Sequence, residues 1–222
     1  MKQILLFSLI CLISSFNLFA QQKIALQIEA SPNYSFRTFK NTSDLNISTD
    51  DENKIGYSLS LKSSFSIIEN FHLISGLEYN NKGFKTTMIY FDEQDNEIQT
   101  IGTLDLIFLD VPLYLGYQFK FDKFYLSPVI GISYGRLIGL KSRYDNEKTS
   151  ATKDEIKNSG FNRDVLNLHG GFELGYQISD KIGFKMEPKV DYTNTDLNKG
   201  KDNLIKENLY IIGVNIGMII KI

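Results

Sequence analysis

The sequence predicts an all-β chain: eight antiparallel strands closed into an up-and-down barrel that spans a membrane, with short periplasmic turns and long extracellular loops. Three observations carry this. Large apolar residues recur at every second position in eight segments. Together those residues are too bulky for the bore of so small a barrel. The connections alternate between a few residues and long polar stretches.

The last segment, "NLYIIGVNIGMIIKI", has the plainest pattern. Tyr210, Ile212, Val214, Ile216, Met218, Ile220 and Ile222 alternate with Ile211, Gly213, Asn215, Gly217, Ile219 and Lys221. A period of two is that of a strand. In chain order the others are "IALQIEASPNYSF", "IGYSLSLKSSFSI", "FHLISGLEYN", "IFLDVPLYLGYQF", "FYLSPVIGISYG", "VLNLHGGFELGYQI" and "KIGFKMEPKVDYT". Only "IEN", "KFDK" and "SDK" separate strands 2 and 3, 4 and 5, and 6 and 7. The other connections are long and polar, among them "KSRYDNEKTSATKDEIKNSGFNRD".

A soluble lipocalin-like barrel also alternates, with its apolar face inside. Size separates the two. The bulky face sums to roughly fifty large side chains, whereas eight strands enclose an interior just wide enough to be filled by side chains. The small, polar face fits that interior, so the apolar face points into lipid. At bilayer depth every backbone amide must pair within the sheet, and only closure leaves no edge.

The inward polar set is Glu29, Arg37, Lys62, Glu78, Asp110, His169, Glu173, Lys185, Glu187, Lys189 and Asp191. Apart from the histidine, four cations face six carboxylates. Charges of both signs on neighbouring strands pair and offset desolvation, so the expected lumen is plugged by ion pairs. The four prolines, Pro32, Pro112, Pro128 and Pro188, all fall within strands, where each removes a ladder hydrogen bond; bulges or strand ends are the expected refuge.

Residues 1–20 read as a cleaved signal peptide, with basic Lys2, an apolar run from Ile4 to Phe19 and a small residue, Ala20, before Gln21. The run is too short for a spanning helix, which needs about 20 apolar residues. The barrel domain is then 21–222. Cys11, the only cysteine, lies inside the leader, which removes disulfides, thiolate metal sites and cysteine nucleophiles from the mature chain. Without Lys2 the chain carries 23 basic and 26 acidic residues, a formal charge of −3 and no footprint for nucleic acid.

At "LDVPLYLGYQFKFDKFYLSPVIGISYGRL" the chain resembles the PorT-type outer-membrane β-barrel family, through a strand carrying hydrophobe-x-Pro-Leu, a turn and a Gly-rich strand. "GYQISDKIGFKMEPKVDYT" is similar to that family's strand-turn-strand before the last loop. The resemblance implies an eight-stranded barrel in a Gram-negative outer membrane, surrounded by outer-membrane lipid and inserted by the barrel-assembly machinery. It also implies, for some members, service in protein secretion. The chain departs from the pattern at Ile222, where such barrels usually end on an aromatic residue.

Candidate chemistry is sparse. His72 follows a short turn at the inner rim, and His169 shares the inward face of strand 6 with Glu173. A His169–Glu173 relay would suit acid–base work; a lumen hydrogen bond is the preferred reading. "FDEQDNE", with Asp92, Asp95 and Glu97, resembles a calcium loop without its turn glycine, and reads instead as a solvated acidic tip. No cofactor motif appears. The expectation is a non-enzymatic barrel acting through its loops, around Asp51, Asn146 and Asn198, or its rim. It would serve in binding, secretion or envelope assembly, with an extracellular or secretion-system protein as possible partner. A small-solute channel and an outer-membrane hydrolase are the alternatives.

Overall fold

The computed structural model describes residues 24–41, 51–91, 97–144, 147–199 and 205–222. The expected leader, residues 1–20, lies outside the described residues, as do Cys11, Asp92, Asp95 and Asn146. Eight long strands form the barrel: β1 (Ile24–Asn41), β2 (Lys54–Ile68), β3 (Phe71–Phe91), β4 (Glu97–Tyr117), β5 (Phe124–Tyr144), β6 (Asp164–Gln177), β7 (Ile182–Thr193) and β8 (Ile205–Lys221). Each pairs antiparallel with the next, and β1 pairs with β8 from Ala25↔Lys221 to Asn41↔Ile205, which closes the sheet. Short ladders at Asp51–Glu52, Phe119–Phe121 and Glu147–Ser150 extend β3 and β5.

The turns on one rim match the expected short ones, with Asp122 at φ 53° in the β4–β5 turn. The opposite rim differs. The connection between β3 and β4, expected as a polar loop, is mostly a hairpin whose ladder runs out to Phe91↔Glu97. Thr86, Thr87, Ile89, Tyr90 and Phe91 on one side and Ile98, Thr100 and Ile101 on the other are strand-forming types, which favours pairing here. The β5–β6 connection holds a helix, α1 (Lys153–Asn158), started by a capping box in which Thr152 and Glu155 exchange side chain-to-backbone hydrogen bonds.

The faces divide as alternation predicts. Leu113 and Ile216 are 50% and 55% exposed, while Glu29 and Lys185 are 4% and 3%. The apolar face is outside, which excludes the lipocalin-like arrangement. Aromatic side chains bracket that face. At the short-turn rim Tyr117 packs on Phe71 and Phe119, each with ring centroids 4.8 Å apart. At the other, Tyr210 packs on Phe36 at 5.5 Å and Tyr192 at 4.7 Å. Phe71 and Tyr79 are eight residues apart on β3 and Phe124 and Tyr134 ten apart on β5. Along tilted strands that spacing spans about 20–25 Å, the height of a lipid-facing band.

Three of the four prolines take neither refuge expected of them. Pro32, Pro112 and Pro188 sit in mid-strand, paired on one flank with Tyr57, Ser133 and Val214. On the other flank the ladder skips two positions and resumes in the same register. Pro128 pairs with Phe172 and faces the end of β4 across a similar gap. A strand residue aims its N–H at one neighbour only, so each proline costs one ladder bond and the adjacent pairs hold the register. The register shifts that do occur, at Ser66/Ile68 and Ile107/Phe108, contain no proline.

Candidate functional site in the barrel lumen

The inner face of a small barrel brings side chains from all eight strands within reach of one another, and here they sort into three layers. The lowest is a vestibule of about 580 Å³ open at the short-turn rim. Gln27, His72, Tyr125 and Glu173 are among its lining residues, with Lys120, Lys181 and Lys221 near its mouth. The structure thus places His72 at the inner rim, as expected. The Tyr125 hydroxyl donates to Glu173 Oε1 at 2.5 Å. Gly175 makes room for that contact, because a Cβ there would lie 2.0 Å from the Tyr125 ring.

Above it lies a closed ring of charge. Lys185 Nζ is 2.6 Å from Glu29 Oε1, and Glu29 Oε2 is 2.9 Å from Lys62. Lys62 reaches Glu78 at 3.2 Å, Glu78 meets Lys189 at 3.1 Å, and Lys189 meets Asp191 at 3.2 Å. Asp191 Oδ1 is 2.6 Å from His169 Nδ1, and Glu187 Oε1 is 3.0 Å from His169 Nε2. Glu187 returns to Lys185 at 3.6 Å. Acid and base alternate around the whole circuit. Both nitrogens of His169 face carboxylate oxygens, and only the doubly protonated ring satisfies both. So charged, His169 makes the ring neutral. Glu173 hangs below it on Lys185 at 2.7 Å. Additional donors, Ser60 to Glu29 at 3.1 Å and Asn215 to Glu187 at 2.9 Å, satisfy further lone pairs, the condition under which burying such charges is tolerable.

The lumen hydrogen bond preferred for His169 is formed, on other partners than the weighed relay would need. His169 does not pair with Glu173: the polar partners it meets are Asp191 and Glu187, on the neighbouring strand β7. Register decides this, since Asp191 stands directly beside His169 whereas Glu173 lies two inward positions along the same strand. Arg37 is apart from the ring. It lies near the outer mouth, over the Phe84 ring at 3.6 Å and 3.3 Å from Glu207. Asp110 sits between these levels and accepts from Asn80 at 3.2 Å, while its Oδ1 has no hydrogen-bond partner among the described residues.

The uppermost layer is apolar, against the expectation of a polar or small inner face throughout. Leu106, Phe108, Leu137, Val165 and Leu209 point inward and are fully buried. Ile156 of α1 and Leu197 of the β7–β8 connection close over them. Each is a lone large hydrophobe in a polar stretch, "KDEIKNS" and "TNTDLNK", and that isolation is the signal a sequence reading has for it. The two connections clasp each other: Asn162 N donates to Leu197 O at 2.7 Å, Lys199 N to Gly160 O at 2.7 Å, and Asn162 Nδ2 to Asp196 O at 2.6 Å. Lys54–Asp105 at 2.8 Å, and Lys82, over Phe108 at 4.4 Å, are further inward charges that sequence reasoning missed.

A closed eight-stranded barrel with an apolar exterior, aromatic bands at both rims and a filled bore is the build of a small outer-membrane protein. The family model of the outer membrane protein β-barrel domain matches residues 19–193. The chain belongs to that family. As an outer-membrane barrel it resides in the outer membrane of the cell. Among solved structures it is similar to Neisserial surface protein A, at 10% identity and a TM-score of 0.50, over 90% of this chain and 97% of that one. The outer membrane protein OprG from Pseudomonas aeruginosa is similar at 16% identity and a TM-score of 0.47, over 90% and 95% of the two chains. The outer membrane protease OmpT from Escherichia coli is similar at 9% identity and a TM-score of 0.45, over 90% and 96%. No curated protein matches the chain.

Proposed function

We propose that this outer-membrane barrel is non-enzymatic, that its lumen does not conduct, and that it acts through its extracellular loops or rim in binding, secretion or envelope assembly. The observation that carries this reading is the doubly closed bore: a neutral ring of ion pairs beneath an apolar lid made by two clasped connections. A solute path would have to cross both. The barrel then serves as a rigid mount for the connections it holds outside. The resemblance of "LDVPLYLGYQF" and "YLSPVIGISYG" to PorT-type barrels favours a role beside a secretion system, with a secretion-system or extracellular protein as partner.

An outer-membrane hydrolase is the less favoured reading. His169 is 6% exposed and held between two carboxylates. Acid–base work needs a group within reach of its substrate. Planar-bilayer recording on the purified barrel tests the sealed lumen, and steady single-channel conductance in the unaltered protein would overturn it. Photocrosslinking in intact cells from positions 51 and 198 tests the loops. Capture of a distinct envelope or secreted protein is expected, and labelling no greater than from a lipid-facing position such as 113 would defeat the reading.

A further inference from the structure

The lipid-facing belt is not uniform. It carries a groove of about 660 Å³ where β6, β7, β8 and β1 meet the membrane, and the register explains its shape. In one outward row Gly170 stands beside Val190, Val190 beside Ile212, and Ile212 beside Tyr34. In the next row Pro188 stands beside Val214. The unchanged register across the ladder gaps sets Phe172 opposite Pro188 and Val214 opposite Pro32. The floor is therefore built from glycine, proline and valine, with the taller side chains of Phe172, Ile212 and Tyr34 around it.

Gly170 contributes most. The other outward residues of β6 are Leu166, Leu168, Phe172, Leu174 and Tyr176, and a Cβ at Gly170 meets nothing within 4 Å. Pro188 and Pro32 add a second feature, since neither has an N–H to close the seam it faces, and the ladder is open along the floor at both places.

What fills this groove follows from where it lies. It is continuous with the face that meets the bilayer, so its surroundings are hydrocarbon. Over a flat belt, acyl chains exchange freely. In a trough walled by Phe172, Ile212 and Tyr34 a single chain touches protein on three sides, and the gain is close packing, the interaction that decides association where no water is present. A second barrel offers a convex, bulky surface that does not follow such a trough.

We propose that the Gly170–Pro188–Val214–Pro32 groove holds one acyl chain of a membrane lipid as an ordered ligand that exchanges more slowly than the lipid around it.

Native mass spectrometry of the barrel released from phospholipid nanodiscs tests this. The unaltered barrel is expected to keep one phospholipid at collision energies that strip the others. Gly170→Leu, whose side chain enters open space, is expected to lower the retained fraction several-fold, and Val214→Phe fills the same groove from the next strand but one. Leu113→Phe adds bulk to the belt on β4 and is expected to retain the lipid. Circular dichroism showing equal β-sheet content keeps folding separate from binding. Retention unchanged in both filled variants, or no retained lipid in the unaltered barrel, overturns the proposal. Barrel dimers that Gly170→Leu separates would overturn it in favour of a second copy.

Discussion

His169 lies flat on Tyr114, with ring centroids 4.0 Å apart and planes within 10° of parallel, while both its nitrogens meet carboxylates of β7. Stacking fixes the plane of the imidazole, and the carboxylates fix its rotation. A doubly protonated ring over an aromatic face adds a cation–π contribution to its ion pairs. His169→Ala therefore removes one positive member of an alternating ring and leaves Glu187 and Asp191 facing an empty site. Removing one partner from a buried pair costs about 3–5 kcal/mol. Urea unfolding of the barrel in lipid vesicles should show a loss of that size. A loss below about 1 kcal/mol would mean that the ring is not held by His169.

Glu173 gives the contrasting case. It touches the ring only through Lys185, which keeps Glu29 at 2.6 Å when Glu173 is gone. Glu173→Gln should cost about 1–3 kcal/mol, the range for a buried group left short of its partner. The ordering of the two variants is the measurement: a larger loss from Glu173→Gln than from His169→Ala would contradict the ring.

Gly175 and Tyr125 are coupled by space. An alanine Cβ at 175 would lie 2.0 Å from the Tyr125 ring, so the ring must leave and its hydroxyl must release Glu173. Overpacking of this kind costs about 1–3 kcal/mol. The double variant Gly175→Ala, Tyr125→Phe should be less destabilised than the sum of the singles, because the single alanine change already breaks the same hydrogen bond. Additive losses in an unfolding double-mutant cycle would refute the coupling.

Much of this lumen could be read before the structure, and the parts that could not share a cause. Alternation put Glu29, Lys62, Glu78, Lys185, Glu187, Lys189 and Asp191 on the inner face, because the parity of a strand is local. Who meets whom depends on register between strands, which is not local. His169 and Glu173 are neighbours in sequence, yet His169 pairs with residues 18 and 22 positions away. The lid was hidden for a related reason. Ile156 and Leu197 belong to stretches that read as solvated loops, and only their mutual clasp places both over Phe108. The prolines show the converse. Sequence flagged them as anomalies, and the structure needed no bulge to keep them, only one missing ladder bond each.

The lid makes its own prediction. Leu197 is fully buried against the apolar layer, so Leu197→Ala should open a cavity costing about 2–5 kcal/mol. Ile156→Ala should free α1 and raise amide exchange across 153–158 while β6 and β7 stay protected. Neither variant should conduct in a planar bilayer, because the ion ring lies beneath. Conductance from Leu197→Ala alone would show that the lid, not the ring, is the barrier.

Helix α1 also carries a pH dependence outside the membrane. Its capping box gives Glu155 a hydrogen bond from the Thr152 backbone, and that bond, followed by the one with the Thr152 side chain, holds the carboxyl below its ordinary value of 4.5. A group whose pKa falls on folding stabilises the folded form above its unfolded pKa, and that contribution fades as pH drops through the folded value. The helix should thus be intact at neutral pH and begin to fray below about 4.5, where the unfolded carboxyl takes up its proton. Amide exchange at 156–158, compared between neutral and acid solution, would register it. In Glu155→Gln the side chain keeps its shape and loses its charge, so the acid-induced increase should vanish. An increase that persists undiminished in Glu155→Gln would assign the fraying to another group.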